Sequence, residues 1–164
     1  MLSKAYDPKP VEAKWADTWQ KERRWMRTEA EMMDLILSVA RSDERVRAVI
    51  LNGSRANPNA KKDPFQDYDI VYLVTDIRSF KQDPGWIDVF GERMILHLPD
   101  DMGSPQPEPL AGYAYLMQFM DGNRIDLSFY PLEAVAQLTG DSLTVVLRDK
   151  DGLIGELPPP SDLG

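Results

Sequence analysis

The sequence has no cysteine and only one histidine, His97, among its 164 residues. Without cysteine the chain can form no disulfide, no thiolate nucleophile and no cysteine-ligated zinc site. It also lacks an apolar run long enough to span a bilayer, and its first residues lack the apolar core of a signal peptide. We therefore expect a cytoplasmic protein that has no membrane partner.

An excess of basic residues is missing as well. The formal net charge is −8, whereas a general nucleic-acid binder normally carries a basic face that neutralises phosphates. A nucleotide can still bind, because a metal ion bound with it brings positive charge. Acidity also suits a cationic ligand, although most acidic proteins have none. The length predicts one domain with a hydrophobic core and no second full domain.

The most informative stretch of the chain joins two apolar runs that are predicted to be strands, Val46–Leu51 and Tyr68–Val74. The first run is followed by a Gly53-Ser54 turn and a polar loop. Glycine lets the backbone approach a ligand closely, and serine adds a hydroxyl and a backbone N–H beside it. The turn is therefore a candidate phosphate site, with a plain turn as the alternative.

Two aspartates mark the start of the second predicted strand. Asp67 and Asp69 are two positions apart, so their side chains project from the same face of the strand. Such a pair repels itself unless a cation lies between the carboxylates, and Mg²⁺ is commonly held by one or two carboxylates together with substrate phosphates. The pattern predicts a Mg²⁺ site that faces the glycine-serine turn. The alternative is a solvated pair at a strand edge.

A third aspartate lies inside another apolar run. Tyr113–Met120 and Arg124–Tyr130 are joined by Asp-Gly-Asn, which predicts a β-hairpin. Asp126 falls at the centre of the second run, where burial is costly without a partner. A metal ion would provide that partner, and a salt bridge with Arg124 is the alternative.

The other predicted elements alternate between helix and strand. A T-x-x-E capping box at Thr28 and Glu31 predicts a helix that ends near Ser42. The remaining predictions are short helices around Ile77–Phe80 and Trp86–Phe90, a strand at Glu92–Leu98, a helix with Pro131 at its first position that runs through Leu138, and a helix or strand over Ser142–Leu147.

Three motifs together resemble a known family. NGSR at 52–55, QDYDI at 66–70 and GNRIDL at 122–127 have the order and approximate spacing of the aminoglycoside 6-adenylyltransferases. Gly-Ser followed by Asp-x-Asp is similar to the wider nucleotidyltransferase superfamily, which includes DNA polymerase β. The resemblance runs from about Met26 to about Asp151. It implies an α/β, polymerase β-like domain with a mixed sheet flanked by helices.

The resemblance also implies a function. The family transfers AMP from Mg-ATP to a hydroxyl of an aminoglycoside, here expected to be the 6-hydroxyl of streptomycin, and so confers antibiotic resistance. Asp126 would support the metal or act as the general base. The implied site residues are Asp67, Asp69 and Asp126 for metal binding and catalysis, and Gly53, Ser54 and Arg55 for nucleotide binding.

Residues 1–25 lie outside this resemblance. They are predicted to form a helix with Val11, Trp15 and Trp19 on one face, and they resemble the opening of valyl-tRNA synthetases. The alternative is an amphipathic helix that packs on the domain or on a partner. The expected organisation is a helical extension at 1–25, a nucleotidyltransferase domain at 26–151 and a proline-rich tail at 152–164.

Three hypotheses therefore remain from the sequence. The chain is an adenylyltransferase, or a nucleotide-binding module without turnover, or an interaction protein that uses its N-terminal helix. The resemblance covers only the N-terminal half of the family, whose members continue with a helical domain that completes the aminoglycoside pocket. The expected partners are ATP and an aminoglycoside or other small hydroxyl acceptor; a homo-oligomer is left open, and nucleic acid is not expected.

Overall fold

The computed structural model describes residues 26–60, 66–97, 112–140, 143–155, 157 and 160. The predicted helical extension at 1–25 lies outside the described residues. The helices and strands are α1 (Glu29–Ser42), β1 (Val46–Asn52), β2 (Tyr68–Val74), α2 (Ile77–Lys81), β3 (Arg93–His97), β4 (Tyr113–Phe119), β5 (Arg124–Pro131), α3 (Val135–Leu138) and β6 (Thr144–Asp149). Short 3-10 turns lie at Gly53–Ala56, Pro84–Phe90 and Leu132–Ala134.

The six strands form one mixed sheet in the order β3-β4-β5-β2-β1-β6. The pairing between β2 and β5 is parallel, and the other four pairings are antiparallel. The predicted α/β fold with a mixed sheet is thus confirmed. None of the helices in the described ranges is long and apolar enough to cross a membrane.

Helix α1 begins where the capping box predicts. The side chain of Thr28 accepts a hydrogen bond from the backbone N–H of Glu31 at 3.2 Å, which satisfies one of the free donors of the first turn. Positions spaced by four residues then place one apolar stripe of the helix against the sheet. The buried residues of this stripe are Met32, Ile36 and Ala40.

The larger core lies between α1 and one face of the sheet, and aromatic rings fill much of it. Phe80 stacks on Phe129 with ring centroids 4.4 Å apart, and Trp86 meets Phe129 edge-on at 5.7 Å. The buried hydroxyl of Tyr72 donates to the carbonyl of Ile36 at 2.6 Å. These contacts fix β2 and β5, the parallel pair, against the helical layer.

The opposite face of the sheet is divided into an apolar and a polar part. Ala48, Ile50, Val71 and Leu73 form a small apolar cluster there. The residues that pack over this cluster are Tyr130, Leu132, Val135, Leu138 and Ile154. Because side chains alternate along a strand, the next residues on the same face are the last residue of β1, Asn52, and the second residue of β2, Asp69. The polar part begins with these two side chains.

Two predicted elements differ from the structure. In the segment at 142–147, left open between helix and strand, the residues from Thr144 onward belong to strand β6 beside β1. Pro131 does not start a helix: it is the last residue of β5, with φ −67° and ψ 158°, and the 3-10 turn follows it. The fixed φ of proline suits an extended strand end as well as a first helical turn, so the residue type did not distinguish the two.

We predict that Tyr72→Phe lowers the free energy of unfolding by about 1 kcal/mol, since it removes a buried hydrogen bond and little else. Urea titration of both proteins measures this difference. Tyr130→Phe is the control, because that ring is only partly buried. Equal stability of all three proteins would contradict the role of the Tyr72 hydroxyl.

Candidate active site

Four polar side chains form one row across four neighbouring strands. Asp126 of β5 is directly paired with Asp69 of β2, Asp69 with Asn52 of β1, and Asn52 with Thr144 of β6. Residues that are directly opposite in a sheet project from the same face. The row therefore lies on the polar part of the sheet face, next to the small apolar cluster.

Asp69 and Asp126 are the two carboxylates of this row, and both are partly buried. Burial, followed by the charge of Asp126, raises the pKa of Asp69 to about 6. Burial also raises the pKa of Asp126, while its hydrogen bond with Asp69 acts in the opposite direction. One oxygen of Asp126, Oδ1, is buried and has no hydrogen-bond partner among the described residues.

Asp67 lies beside this pair, one residue before β2. Its carboxylate forms an ion pair with Arg124, whose Nε is 3.5 Å away, and both side chains are partly exposed. The sequence had offered Arg124 as a partner for Asp126, but its carboxylate partner here is Asp67. Across the described parts of the chain, no three His, Cys, Asp or Glu side chains are arranged as a metal-binding group.

The chemistry of the donors nevertheless fits a divalent cation. Two carboxylates in contact, one of them with an unpartnered buried oxygen, form a site that gains free energy when a cation neutralises them. Oxygen donors of this kind are the ligands that Mg²⁺ prefers. The residues that could hold it are Asp69, Asp126 and, after leaving Arg124, Asp67.

Gly53 brings the first turn directly against the carboxylate pair. Its φ is +75°, and a Cβ at this position would lie 2.1 Å from Oδ2 of Asp69. The backbone can approach the carboxylate this closely only because glycine has no side chain. Ser54, the next residue of the turn, is exposed. The turn and the first carboxylate thus lie next to each other.

Arg55 makes a different set of contacts. Its guanidinium donates to the carbonyl of Gln66 from Nη2 at 2.8 Å and from Nε at 3.1 Å, and lies 3.7 Å above the ring of Tyr68. It also pairs with Glu29 at 3.2 Å, and its side chain is only 6% exposed. Arg55 therefore links the turn after β1 to the residue that precedes Asp67.

Sequence reasoning missed two members of the polar row. The hydroxyl of Thr144 donates to the side-chain oxygen of Asn52 at 3.1 Å. Asn52 could have been suspected, because it directly precedes the glycine-serine turn. No motif near Thr144 indicated a role for this residue, since its place in the row depends on the pairing of β6 with β1.

Known proteins are similar to this chain over most of its length. A family model described as streptomycin adenylyltransferase matches residues 26–163. Aminoglycoside 6-adenylyltransferases from Campylobacter jejuni and Bacillus subtilis (strain 168) are 46% and 44% identical to the chain over 139 residues. The aligned region covers 84% of this chain and 48% or 49% of these relatives. The chain thus spans about half the length of the curated relatives it matches.

A solved structure is similar as well. The crystal structure of an aminoglycoside 6-adenyltransferase from Bacillus subtilis matches with a TM-score of 0.57 and 38% sequence identity. The match covers 70% of this chain and 39% of that protein. At 38% identity, this chain and that protein are similar in fold as well as in sequence.

We predict that Asp69→Asn stabilises the metal-free protein. The parent's folded state holds a proton on Asp69 up to about pH 6, against the ordinary value of 3.8, so the free energy of unfolding falls as pH rises through this interval. Asparagine does not titrate, so the variant does not lose this stability as the pH rises. The expected gain is about 1–2 kcal/mol near pH 7.5 and smaller near pH 4.5, measured by urea unfolding with a chelator present.

Asp34→Asn, on the exposed side of α1, is the control and should show no such pH dependence. Added Mg²⁺ should stabilise the parent more than Asp69→Asn, because only the parent keeps both carboxylates. A variant that is destabilised equally at both pH values would contradict the repulsion between Asp69 and Asp126.

We also predict that Gly53→Ala destabilises the chain more than Gly152→Ala. Both glycines have positive φ, +75° and +65°, so each alanine incurs a backbone penalty of about 1–2 kcal/mol. No atom lies within 4 Å of a Cβ at Gly152, whereas at Gly53 the Asp69 carboxylate must move. Thermal unfolding of the two variants measures the difference. Equal losses would show that the turn does not press on Asp69.

Proposed function

Because this chain belongs to the streptomycin adenylyltransferase family, we propose that it transfers an adenylyl group from Mg-ATP to an aminoglycoside hydroxyl. The proposed acceptor is the 6-hydroxyl of streptomycin, and the consequence is antibiotic resistance. The observation that carries the proposal is the contact between the Asp69 and Asp126 carboxylates, with the Gly53 turn against them.

The acidic residues have distinct proposed roles. Asp69 and Asp67 hold Mg²⁺, and Asp126 supports it. Bound Mg²⁺ supplies positive charge that neutralises the phosphates of the nucleotide and favours in-line displacement at phosphorus. Asp67 can join this set because its partner, Arg124, is partly exposed and can be solvated when the carboxylate turns away.

Asp126 is also the proposed general base. Its partly buried carboxylate accepts the proton of the acceptor hydroxyl. The hydroxyl oxygen forms a bond to the α-phosphorus as the bond from that phosphorus to the bridging oxygen breaks. Pyrophosphate leaves, the adenylyl group stays on the acceptor, and the proton is on Asp126.

The turn after β1 has two proposed roles. Gly53 and Ser54 hold the triphosphate through backbone N–H groups and the serine hydroxyl, which the close approach at Gly53 makes possible. Arg55 supports nucleotide binding indirectly. Its contacts with Gln66 and Tyr68 hold the turn in a fixed position relative to the start of β2. It thereby fixes the distance between the phosphate and metal parts of the site.

We predict that the purified chain releases pyrophosphate when it is given Mg-ATP and streptomycin together. Asp126→Asn should lower the rate by about 100-fold or more, because the base is lost, while the fold is retained. Asp34→Asn should leave the rate unchanged. A coupled pyrophosphate assay, with adenylylated streptomycin identified by mass spectrometry, measures these rates.

Other outcomes of this assay correct the proposal in different ways. Turnover with another aminoglycoside in place of streptomycin would change the acceptor and keep the chemistry. Nucleotide binding without pyrophosphate release from any aminoglycoside would instead favour a binding module. An equal rate for the parent and Asp126→Asn would exclude Asp126 as the base.

A further inference from the structure

Asn52 occupies an unusual position for its residue type. It is at the N-terminal cap of the 3-10 turn Gly53–Ala56, where an asparagine side chain normally accepts a hydrogen bond from the turn. Its side chain makes no such bond. Its oxygen instead accepts the hydroxyl of Thr144 at 3.1 Å, across the β1–β6 pair.

Thr144 is built into the sheet in a way that fixes this orientation. It is 3% exposed, and it and Asn123 are the buried polar residues among those that the structure describes. A buried hydroxyl needs a hydrogen-bond partner, and the Asn52 oxygen supplies one. With that oxygen engaged, the nitrogen of the Asn52 amide has no hydrogen-bond partner in the described part of the chain.

The location of this amide points to its ligand. Asn52 is paired with Asp69 on the side away from Asp126, and the next residue is Gly53, which contacts the Asp69 carboxylate. If the acceptor hydroxyl approaches Asp126, the leaving group lies toward Asn52. The surrounding aspartates are negative, so an oxygen of a leaving phosphate needs N–H donors here, and a neutral amide provides two.

We propose that Asn52 is a nucleotide-binding residue whose amide N–H donates to a β- or γ-phosphate oxygen, and that Thr144 is the residue that positions it. This inference rests on the proposed adenylyl transfer, because it assumes a triphosphate over Asp69. It adds two residues outside the predicted set and gives them unequal roles: Asn52 touches the ligand, and Thr144 acts only through Asn52.

The test measures binding, with no need for turnover. The full chain is titrated calorimetrically with Mg²⁺ and a non-hydrolysable ATP analogue, and separately with AMP, which lacks the β- and γ-phosphates. Asn52→Ala should weaken binding of the analogue by about tenfold or more and leave AMP binding nearly unchanged. Asn52→Asp still accepts a hydrogen bond from the Thr144 hydroxyl, and it should bind the analogue no more tightly than Asn52→Ala does.

Thr144→Val separates the two roles. It should weaken binding of the analogue by about two- to fivefold, and it should add nothing when combined with Asn52→Ala, because the positioned group is already absent. Thr139→Val is the matched control, since that hydroxyl bonds to the carbonyl of Val135 within its own helical turn. Thermal unfolding confirms that each variant is folded.

The outcomes distinguish this inference from the function on which it rests. A parent chain that binds neither nucleotide overturns the proposed function and this inference with it. If the parent, Asn52→Ala and Asn52→Asp all bind the analogue equally tightly, this inference is overturned and the proposed function is not affected. Equal losses for the analogue and AMP exclude a β- or γ-phosphate contact, and additive losses from Thr144→Val and Asn52→Ala exclude the positioning role.

Discussion

The site depends on two carboxylates that a parallel pair of strands holds side by side. Asp69 and Asp126 are directly paired between β2 and β5, and neither can move away without breaking the ladder. Their partial burial and mutual repulsion make the metal-free state costly, as the raised pKa of Asp69 reflects. A cation that binds between them relieves this cost, so the folded chain is prepared for a positively charged ligand before any ligand arrives.

The rest of the fold supplies the stability that offsets this repulsion. On the far side of the sheet, α1 and the aromatic rings around Phe129 bury the same two strands in a well-packed core. The side chain of Tyr72 joins β2 to the helix by a buried hydrogen bond. The side chains that pack against α1 and the carboxylates of the site thus lie on opposite faces of the same strands. This is possible because successive side chains of a strand point to opposite faces.

Local patterns in the sequence predicted most of the elements and some of the site. The capping box at Thr28, the Asp-Gly hairpin and the Asp-x-Asp spacing depend on neighbours in the chain, and the structure contains the helix and strands that they indicate. The parallel pairing of β2 with β5 joins residues more than fifty positions apart, and no local pattern encodes its register. The cost of burying Asp126 inside an apolar run suggested a metal partner, and the resemblance to a family placed this residue with Asp67 and Asp69.

The contacts that the sequence did not predict are all long-range. The nucleotide-binding role expected of Arg55 from its place after Gly53-Ser54 stays a prediction; its guanidinium lies over Tyr68 and donates to the carbonyl of Gln66, two contacts that the motif does not predict. Similarly, Arg124 pairs with Asp67 instead of Asp126. An arginine has a long side chain with five donors, so its position along the chain limits its contacts only weakly. Motif spacing therefore locates the carboxylates of strand residues better than it locates the guanidinium groups of arginines.

One consequence concerns the division of the sheet face itself. Two strands change from apolar to polar at the same row, Ile50 to Asn52 in β1 and Val71 to Asp69 in β2, whereas β5 is already polar one row earlier, at Ser128. The chain covers the apolar side of that row with α3 and its flanking turn. It leaves the carboxylates only partly buried, and among the described residues the cation that acts on Asp69 is Arg124, which is already paired with Asp67. The proposed ligand, a metal-bound nucleotide, would bring positive charge to these carboxylates, so their partial burial and mutual repulsion are the features that support the proposal.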